Sequence, residues 1–422
     1  MLMQTHGALA GTVAAPISKS DLHRLLIAAA LCPPGEPTVI QGLTLSQDIE
    51  ATAGILRALG AQVEFSENET RITPPSSRSQ ASILADCGES GSTLRFLVPV
   101  LAALGCEATF VGRGRLGQRP MLPLTQQLRL HGVSVENDLL PLTIHGPLTG
   151  GEFTFAGDVS SQYITGLLYA LPLLKEDSTI RLTSPLQSMG YVKMTLDVLG
   201  RFGIQAEELP DGWRIPGGQR YRSPGQLKAE GDWSGAAFWL CAGALGRQPL
   251  TVTGLRQDSL QGDRAVCRIL SQMGARLCWE GDALTVTGAP LTAVEIDGSQ
   301  IPDIVPILSV AAALAQGETR IINAQRLRIK ESDRLAAMAA GLSALGAQIQ
   351  ETEDGLLLSG KAELRGGAEV DSFGDHRIAM CMAVASTRCA QPVSIRDPMC
   401  VAKSYPDFYE DFRRLGGSAH VL

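Results

Sequence analysis

The chain has 422 residues, 45% hydrophobic and 19% charged, with a net charge of −7. That length calls for two or three domains rather than one, and the acidic balance excludes a nucleic-acid binder, whose footprint is a strongly basic domain. Nine cysteines without a C-x-x-C indicate reduced thiols. The start, MLMQTHGALAGTVAAP, lacks the basic and apolar regions of a signal peptide, and the longest apolar stretch, residues 304–315, is too short to span a bilayer; a soluble cytoplasmic protein is expected.

In chain order, a first strand is predicted over residues 9–15. SDLHRLLIAAALC then reads as a nearly all-apolar helix, PTVIQG as a strand, and a more amphipathic helix runs to ILRALG. Ile55, Leu56 and Leu59 fall at helical spacing, and Gly60 is a natural C-terminal stop. Val63 and Phe65 alternate with polar neighbours, Glu67-Asn68-Glu69 turns, and Arg71-Ile72-Thr73 returns. This pattern recurs as LRLHGVSVENDLLPLTIHG, VLGRFGIQAEELPDGWRIP, ILSQMGARLCWEGDALTVTG and LSALGAQIQETEDGLLLSG, with a truncated copy, FRRLGGSAHVL, at the end. The helix-ending glycines, Gly60, Gly132, Gly203, Gly274, Gly346 and Gly416, are spaced by 72, 71, 71, 72 and 70 residues. Six copies of one helix-strand-helix-strand-strand repeat are therefore predicted.

The first helix of each repeat begins near Ser20, Ser90, Ser160, Ser234, Asp303 and Asp375. Helices this apolar all round must be buried on nearly every side, so the expected α/β architecture places them centrally with the sheets outside. Six copies suggest two lobes of three, with the chain crossing between lobes near residues 227–231 and the strand 9–15 belonging to the second lobe.

Polar residues gather where helices start. Lys19, Arg24, Arg95, Arg119, Lys330, Arg334, Arg377 and Lys403 all fall there. A helix N-terminus suits anions, so cations at that end point to a small, multiply anionic ligand. Singly, Ser18 and Ser20 read equally well as N-caps, and Arg95 and Arg334 as snorkelling side chains. Asp303, opening a very apolar helix, is either a cap or an active-site acid. The G-x-G-x-x-G of residues 112–117 follows a strand as a dinucleotide fingerprint does, but the repeat accounts for it better, since the strand bearing Glu136 runs into a hairpin. No metal-ligating spacing is present.

The stretches APISKSDLHR, ESGSTLRF, GQRPM, SSQYITGLL, IPD, RIKESDRL, GDHRIAMC and DPMCVAKSYPDF, spread from residue 15 to 408, resemble the 5-enolpyruvylshikimate-3-phosphate (EPSP) synthase family, the 3-phosphoshikimate 1-carboxyvinyltransferases. The resemblance implies a two-lobed inside-out α/β barrel, with residues 18–230 forming one lobe, residues 1–17 plus 231–422 the other, and the active site in the cleft between lobes. It implies transfer of the enolpyruvyl group of phosphoenolpyruvate to the 5-hydroxyl of shikimate 3-phosphate, with release of phosphate through a tetrahedral intermediate, in the shikimate pathway to aromatic amino acids. It further implies a monomer without metal or organic cofactor, with no nucleic-acid or membrane partner, and a target for glyphosate.

Carried over residue by residue, the resemblance makes Lys19, Asp303 and Glu331 catalytic. Shikimate 3-phosphate would be held by Lys19, Ser20, Arg24, Ser160, Ser161, Gln162, Ser188, Tyr191, Asp303, Arg326 and Lys330. Phosphoenolpyruvate would be held by Lys19, Gly91, Arg119, Gln162, Arg334, Arg377 and Lys403. The chain departs from the family pattern at Ile17 (usually Gly), Glu89 (usually Asn), Ser92 (usually Thr), Met189-Gly190 and Arg326 (usually Asn). The related UDP-N-acetylglucosamine enolpyruvyl transferases carry a reactive cysteine where this chain has Gly114, and Lys-Asn where it has Lys19-Ser20; both differences favour shikimate 3-phosphate. A non-catalytic phosphometabolite-binding protein would need the cations but neither Asp303 nor Glu331.

Overall fold

The structure, a computed structural model, describes residues 1–76 and 82–422. The chain divides into two compact units, Lys19–Ala229 and Met1–Ser18 with Glu230–Leu422. Lys19–Ala229 holds helices α1 (Lys19–Ala30), α2 (Gln47–Ala58), α3 (Gly91–Ala103), α4 (Leu122–Leu130), α5 (Ser161–Ala170) and α6 (Met189–Arg201). The other unit holds α7 (Trp233–Leu245), α8 (Ala265–Gln272), α9 (Val305–Ala312), α10 (Arg334–Ala344), α11 (His376–Ser386) and α12 (Phe408–Arg414).

The odd-numbered helices are the apolar ones. Every residue of α7, α9 and α11 is buried, and these three pack on one another. Each also lies against its own sheet, α7 on Leu250–Thr253, α9 on Glu318–Ile322 and α11 on Val393–Arg396. Burying each large apolar side chain here contributes about 1.5–3 kcal/mol, and the apolar helices supply a large share of the core of Met1–Ser18 with Glu230–Leu422. In Lys19–Ala229, α3 packs on α5, and α1 on α2 and α6.

Each repeat carries one strand more than the sequence pattern suggests. Ile83–Asp86 runs parallel to Glu107–Val111 on the far side of α3, and Leu142–His145 and Ser134–Val135 extend that sheet antiparallel. The same order recurs in six four-stranded sheets among the described residues. In two repeats the leading strand comes from elsewhere in the chain. Gln226–Lys228 pairs in parallel with Thr38–Gln41 of the first repeat, and Gly11–Ala14 with Leu250–Thr253 of the fourth. The predicted strand 9–15 is thus Gly11–Ala14. A strand the pattern does not reveal, Leu2–His6, lies between Val393–Arg396 and Ser418–Val421. It takes the place of the hairpin strand that the truncated sixth copy lacks.

All six helix-ending glycines have positive φ, from 77° at Gly203 to 106° at Gly274. The left-handed residue after each second helix turns the chain into the hairpin, a conformation open to glycine and costly to others. At Gly274 an added Cβ would meet nothing nearer than 3.5 Å, so the cost of a side chain there is that of the backbone alone. Gly274→Ala is expected to lower unfolding free energy by about 1–2 kcal/mol, read as a lower urea midpoint at unchanged m-value.

Candidate active site

In Lys19–Ala229 the candidate residues stand at the starts of α1, α3, α5 and α6. Lys19 Nζ lies 2.7 Å from Asp48 Oδ2, in the first turn of α2. Arg24 is held on three sides: Nε donates to Thr195 Oγ1 at 2.9 Å, Nη1 to the Ser20 carbonyl at 2.6 Å and Nη2 to the Tyr191 carbonyl at 2.9 Å. Its guanidinium carbon also sits 5.2 Å from the Phe96 ring centre and 5.8 Å from that of Tyr191. A buried file of hydroxyls joins the first three helices, with His23 Nδ1 to Thr52 Oγ1 at 2.8 Å, Thr52 to Thr93 at 2.7 Å and Thr93 to Ser90 at 2.7 Å. Burial, then Lys19 and Arg24, push the His23 imidazole well below its ordinary range, so it is neutral.

Gly91 opens α3 behind the cap Ser90. A Cβ at Gly91 would stand 2.8 Å from both Arg95 Nη1 and Arg119 Nη1; the missing side chain is what lets two guanidiniums come over the helix end. Arg95 Nη1 donates to Gln162 Oε1 at 2.9 Å, and Gln162 Nε2 donates to Ser92 Oγ at 3.0 Å. Ser160 caps α5, with its hydroxyl accepting from Gln162 N, and Ser161 is buried. Ser188 precedes α6 at φ 58°, in the left-handed region, without capping it. The fingerprint glycine Gly114 lies in a short turn, where its missing side chain makes room for the Glu89 carboxyl.

In Met1–Ser18 with Glu230–Leu422 the charges are interleaved. Arg334, the first residue of α10, is 1% exposed. It bonds three carboxylates: Asp375 Oδ2 at 2.8 Å, Glu331 Oε2 at 2.8 Å and Asp303 Oδ1 at 3.0 Å. Asp303 also faces Arg377 Nη2 at 3.1 Å and Lys330 Nζ at 3.9 Å, while Arg377 Nη1 donates to the Asp303 carbonyl at 3.0 Å. Of the two roles open to Asp303, the cap is not the one it takes: α9 has no side-chain cap and the carboxylate is turned to these cations. Burial alone would raise its proton affinity, but Arg377, Lys330 and Arg334 hold it well below the usual carboxylate range. Burial outweighs the neighbouring carboxylates at Lys330 and pushes its ammonium down to about 8, with Arg326 adding to the fall. Arg326 and Lys403 sit in short turns, at Gln325–Ile329 and Pro398–Lys403, and Lys403 is 5% exposed.

The sequence placed Asp375 at a helix start without a role, and Asp48 carried none either. Asp48 is the partner of Lys19. Asp375 caps α11 through Arg377 N at 2.9 Å and accepts from Ser332 Oγ at 3.0 Å. For Asp375 the signal was there, a carboxylate opening a helix beside a basic residue, but it does not separate a cap from an ion-pair partner. Thr195, mid-helix in α6, carried no signal.

The family model described as EPSP synthase (3-phosphoshikimate 1-carboxyvinyltransferase) matches residues 3–412. The chain belongs to the EPSP synthase family. A 3-phosphoshikimate 1-carboxyvinyltransferase of Clostridium perfringens is 46% identical over 420 residues, covering 98% of this chain and 97% of the relative. One from Clostridium kluyveri is 45% identical over 414 residues, covering 97% and 96%. Among solved structures, EPSP synthase from Acinetobacter baumannii superposes with a TM-score of 0.82 at 26% identity over all of both chains. The enolpyruvyl transferase NikO from Streptomyces tendae gives a TM-score of 0.82 at 22% identity, covering 99% and 98%, a likeness of fold alone.

Loss of Arg334 would strand the three carboxylates that it bonds. Arg334→Leu is expected to cost about 3–5 kcal/mol of stability at neutral pH. Asp303 and Asp375 are held low in the folded state, so the stability they bring is full above the unfolded carboxylate range, about pH 4, and is lost as pH falls below it. The gap between wild type and Arg334→Leu should therefore narrow on acidification, measured by urea unfolding across that range.

Proposed function

We propose that this chain transfers the enolpyruvyl group of phosphoenolpyruvate to the 5-hydroxyl of shikimate 3-phosphate, forming EPSP and inorganic phosphate. Membership of the EPSP synthase family supports the activity. The observation that carries the reading at the level of residues is the Asp303 carboxylate set among Arg377, Arg334 and Lys330. The reaction must remove a proton from a hydroxyl, add one to the phosphoenolpyruvate methylene, and reverse that addition as phosphate leaves. An ionised carboxylate meets the first need, and cations that bind phosphate ease its departure.

Asp303 takes the 5-hydroxyl proton. A carboxylate held so low is a weak base, yet the phosphate and carboxylate of the substrates compete with it for the same cations. Each cation drawn away raises the proton affinity of Asp303 as the substrates settle. Glu331, hydrogen-bonded to Arg334, and Lys19, paired with Asp48, exchange the methylene proton. Addition gives a tetrahedral intermediate at C2, and cleavage of its C–O bond to phosphate restores the double bond. Arg119, Arg334, Arg377, Lys403 and Gln162 hold phosphoenolpyruvate, with Gly91 letting the guanidiniums approach. Ser20, Arg24, Ser160, Ser161, Gln162, Ser188, Tyr191, Arg326 and Lys330 hold shikimate 3-phosphate. The reading calls for neither metal nor organic cofactor, and for a cytoplasmic monomer. Among the described residues no helix is long and apolar enough to cross a membrane.

Incubation with both substrates should release phosphate; no release sinks the proposal. Asp303→Asn keeps the shape but cannot act as a base, and turnover should fall by roughly 10²–10⁴-fold while substrate binding by calorimetry persists.

None of the nine cysteines lies within residues 112–120, where the UDP-sugar enzymes keep a reactive thiol. Intact-protein mass spectra with phosphoenolpyruvate should show no thiol-linked added mass. Such an adduct would point to the UDP-sugar reaction instead.

A further inference from the structure

One buried cation of Lys19–Ala229 has no part in the mechanism above. Arg95 stands in the second turn of α3 and is 4% exposed, so it does not snorkel. Side chains on a helix lean toward its N-terminus, which carries this guanidinium back over Gly91, beside that of Arg119. There Nη1 donates to Gln162 Oε1 at 2.9 Å and Nη2 to the Pro120 carbonyl at 3.2 Å. The guanidinium carbon lies 5.6 Å from the Tyr163 ring centre, and the Tyr163 hydroxyl donates to the same Pro120 carbonyl at 2.5 Å. The helices α3 and α5 come close at this point: a Cβ at Gly166 would stand 2.3 Å from the Arg95 carbonyl oxygen.

We infer that Arg95 is a positioning residue for phosphoenolpyruvate binding, acting through Gln162 and Arg119. The inference rests on the function proposed above. A guanidinium has donors only, so the end of the Gln162 amide that faces it is the oxygen. That turns Nε2 the other way. Ser92 Oγ accepts one of its two hydrogens at 3.0 Å, and the second is presented to a substrate oxygen. Without the guanidinium the amide is free to flip, because the Ser92 hydroxyl donates as well as it accepts. A flipped amide offers an acceptor to an anion and repels it.

The second arm acts on Arg119, which follows the short turn Gly114–Gln118. Pro120 is the next residue, and its carbonyl is tied to α3 by Arg95 and to α5 by Tyr163. The backbone that carries the Arg119 side chain is thereby pinned to two helices, a firmer mount than a turn alone provides. Lysine could not replace Arg95 in this task. It keeps the charge but lacks the planar fork that reaches two acceptors in fixed directions.

The test compares Arg95→Lys with wild type, and repeats the change in protein already carrying Gln162→Ala. In the first pair KM for phosphoenolpyruvate should rise roughly tenfold, the size of one hydrogen bond to a charged group. The change in kcat should be smaller, since groups that hold the anion alike before and during reaction act on KM. In the second pair the rise should shrink to roughly threefold or less, because the amide that Arg95 directs is gone. Arg95→Gln, which keeps a donor without the charge, serves in the same two pairs if the lysine variant does not fold. Equal fold-changes in the two pairs would make Arg95 a ligand in its own right and overturn the inference. A lowered urea midpoint with KM unchanged, the mark of a purely structural role, would also overturn it. In protein labelled with 15N-glutamine, the Gln162 side-chain signal, assigned by its loss from Gln162→Ala, should move in Arg95→Lys; an unmoved signal counts against the proposal. Failure of the assigned reaction would appear elsewhere, as no phosphate released by wild type, and would leave that signal to be read.

Discussion

Met1–Ser18 with Glu230–Leu422 depends on a single guanidinium. Arg334 stands at the first position of a helix, where the backbone dipole disfavours a cation, and it is shut away from water. It is tolerable there because three carboxylates surround it, and those carboxylates are tolerable because Arg334 is there. The contacts reach the starts of three helices in two repeats. Glu331 and Arg334 lie at α10, Asp375 caps α11, and Asp303 precedes α9. Breaking a buried ion network on one side costs far more than the network contributes when intact. The same constraint that packs the helix ends therefore fixes the charges gathered there.

Repetition is what brings those ends together. A central helix buried on all sides can carry few polar groups along its length, so the chemistry gathers toward its N-terminal end. Copying the repeat copies that first turn, and packing α7, α9 and α11 on one another sets three such turns side by side. Lys19–Ala229 does the same through hydroxyls, with the file from His23 to Ser90 linking α1, α2 and α3. Both arrangements fill helix starts with groups that are already oriented, which is the preorganisation that phosphate-handling sites require.

Much of this was legible in the sequence because it is periodic. Six glycines about 70 residues apart mark six left-handed helix ends, and the all-apolar helices between them are the ones that are buried. Apart from Gly11–Ala14, the leading strands were not legible. Glu295–Asp297 and Glu369–Asp371 are three residues long and mostly acidic, too short for an alternating pattern to declare itself. Their places are set by the neighbouring strand. Leu2–His6 is invisible for another reason, since its partners lie almost four hundred residues away. Among the acids, Asp303 was singled out and Asp263 was not. Asp263 is buried and Asp303 only partly so, but Asp263 sits in a turn rich in polar residues, where a carboxylate is the ordinary choice. Only packing distinguishes it.

The exchange of edge strands has a consequence for how the chain is made. Gly11–Ala14 and Leu2–His6 leave a ribosome long before their partners, Leu250–Thr253 and Val393–Arg396. At the usual pace of synthesis that is a wait on the order of tens of seconds, during which these segments carry unpaired backbone edges. Lys19–Ala229, by contrast, gains its last strand, Gln226–Lys228, only at its very end, and then has everything it needs. Birth order therefore separates the two units: one is ready to close once Gln226–Lys228 has emerged, and the other holds Leu2–His6 in reserve until Ser418–Val421 arrives to sandwich it.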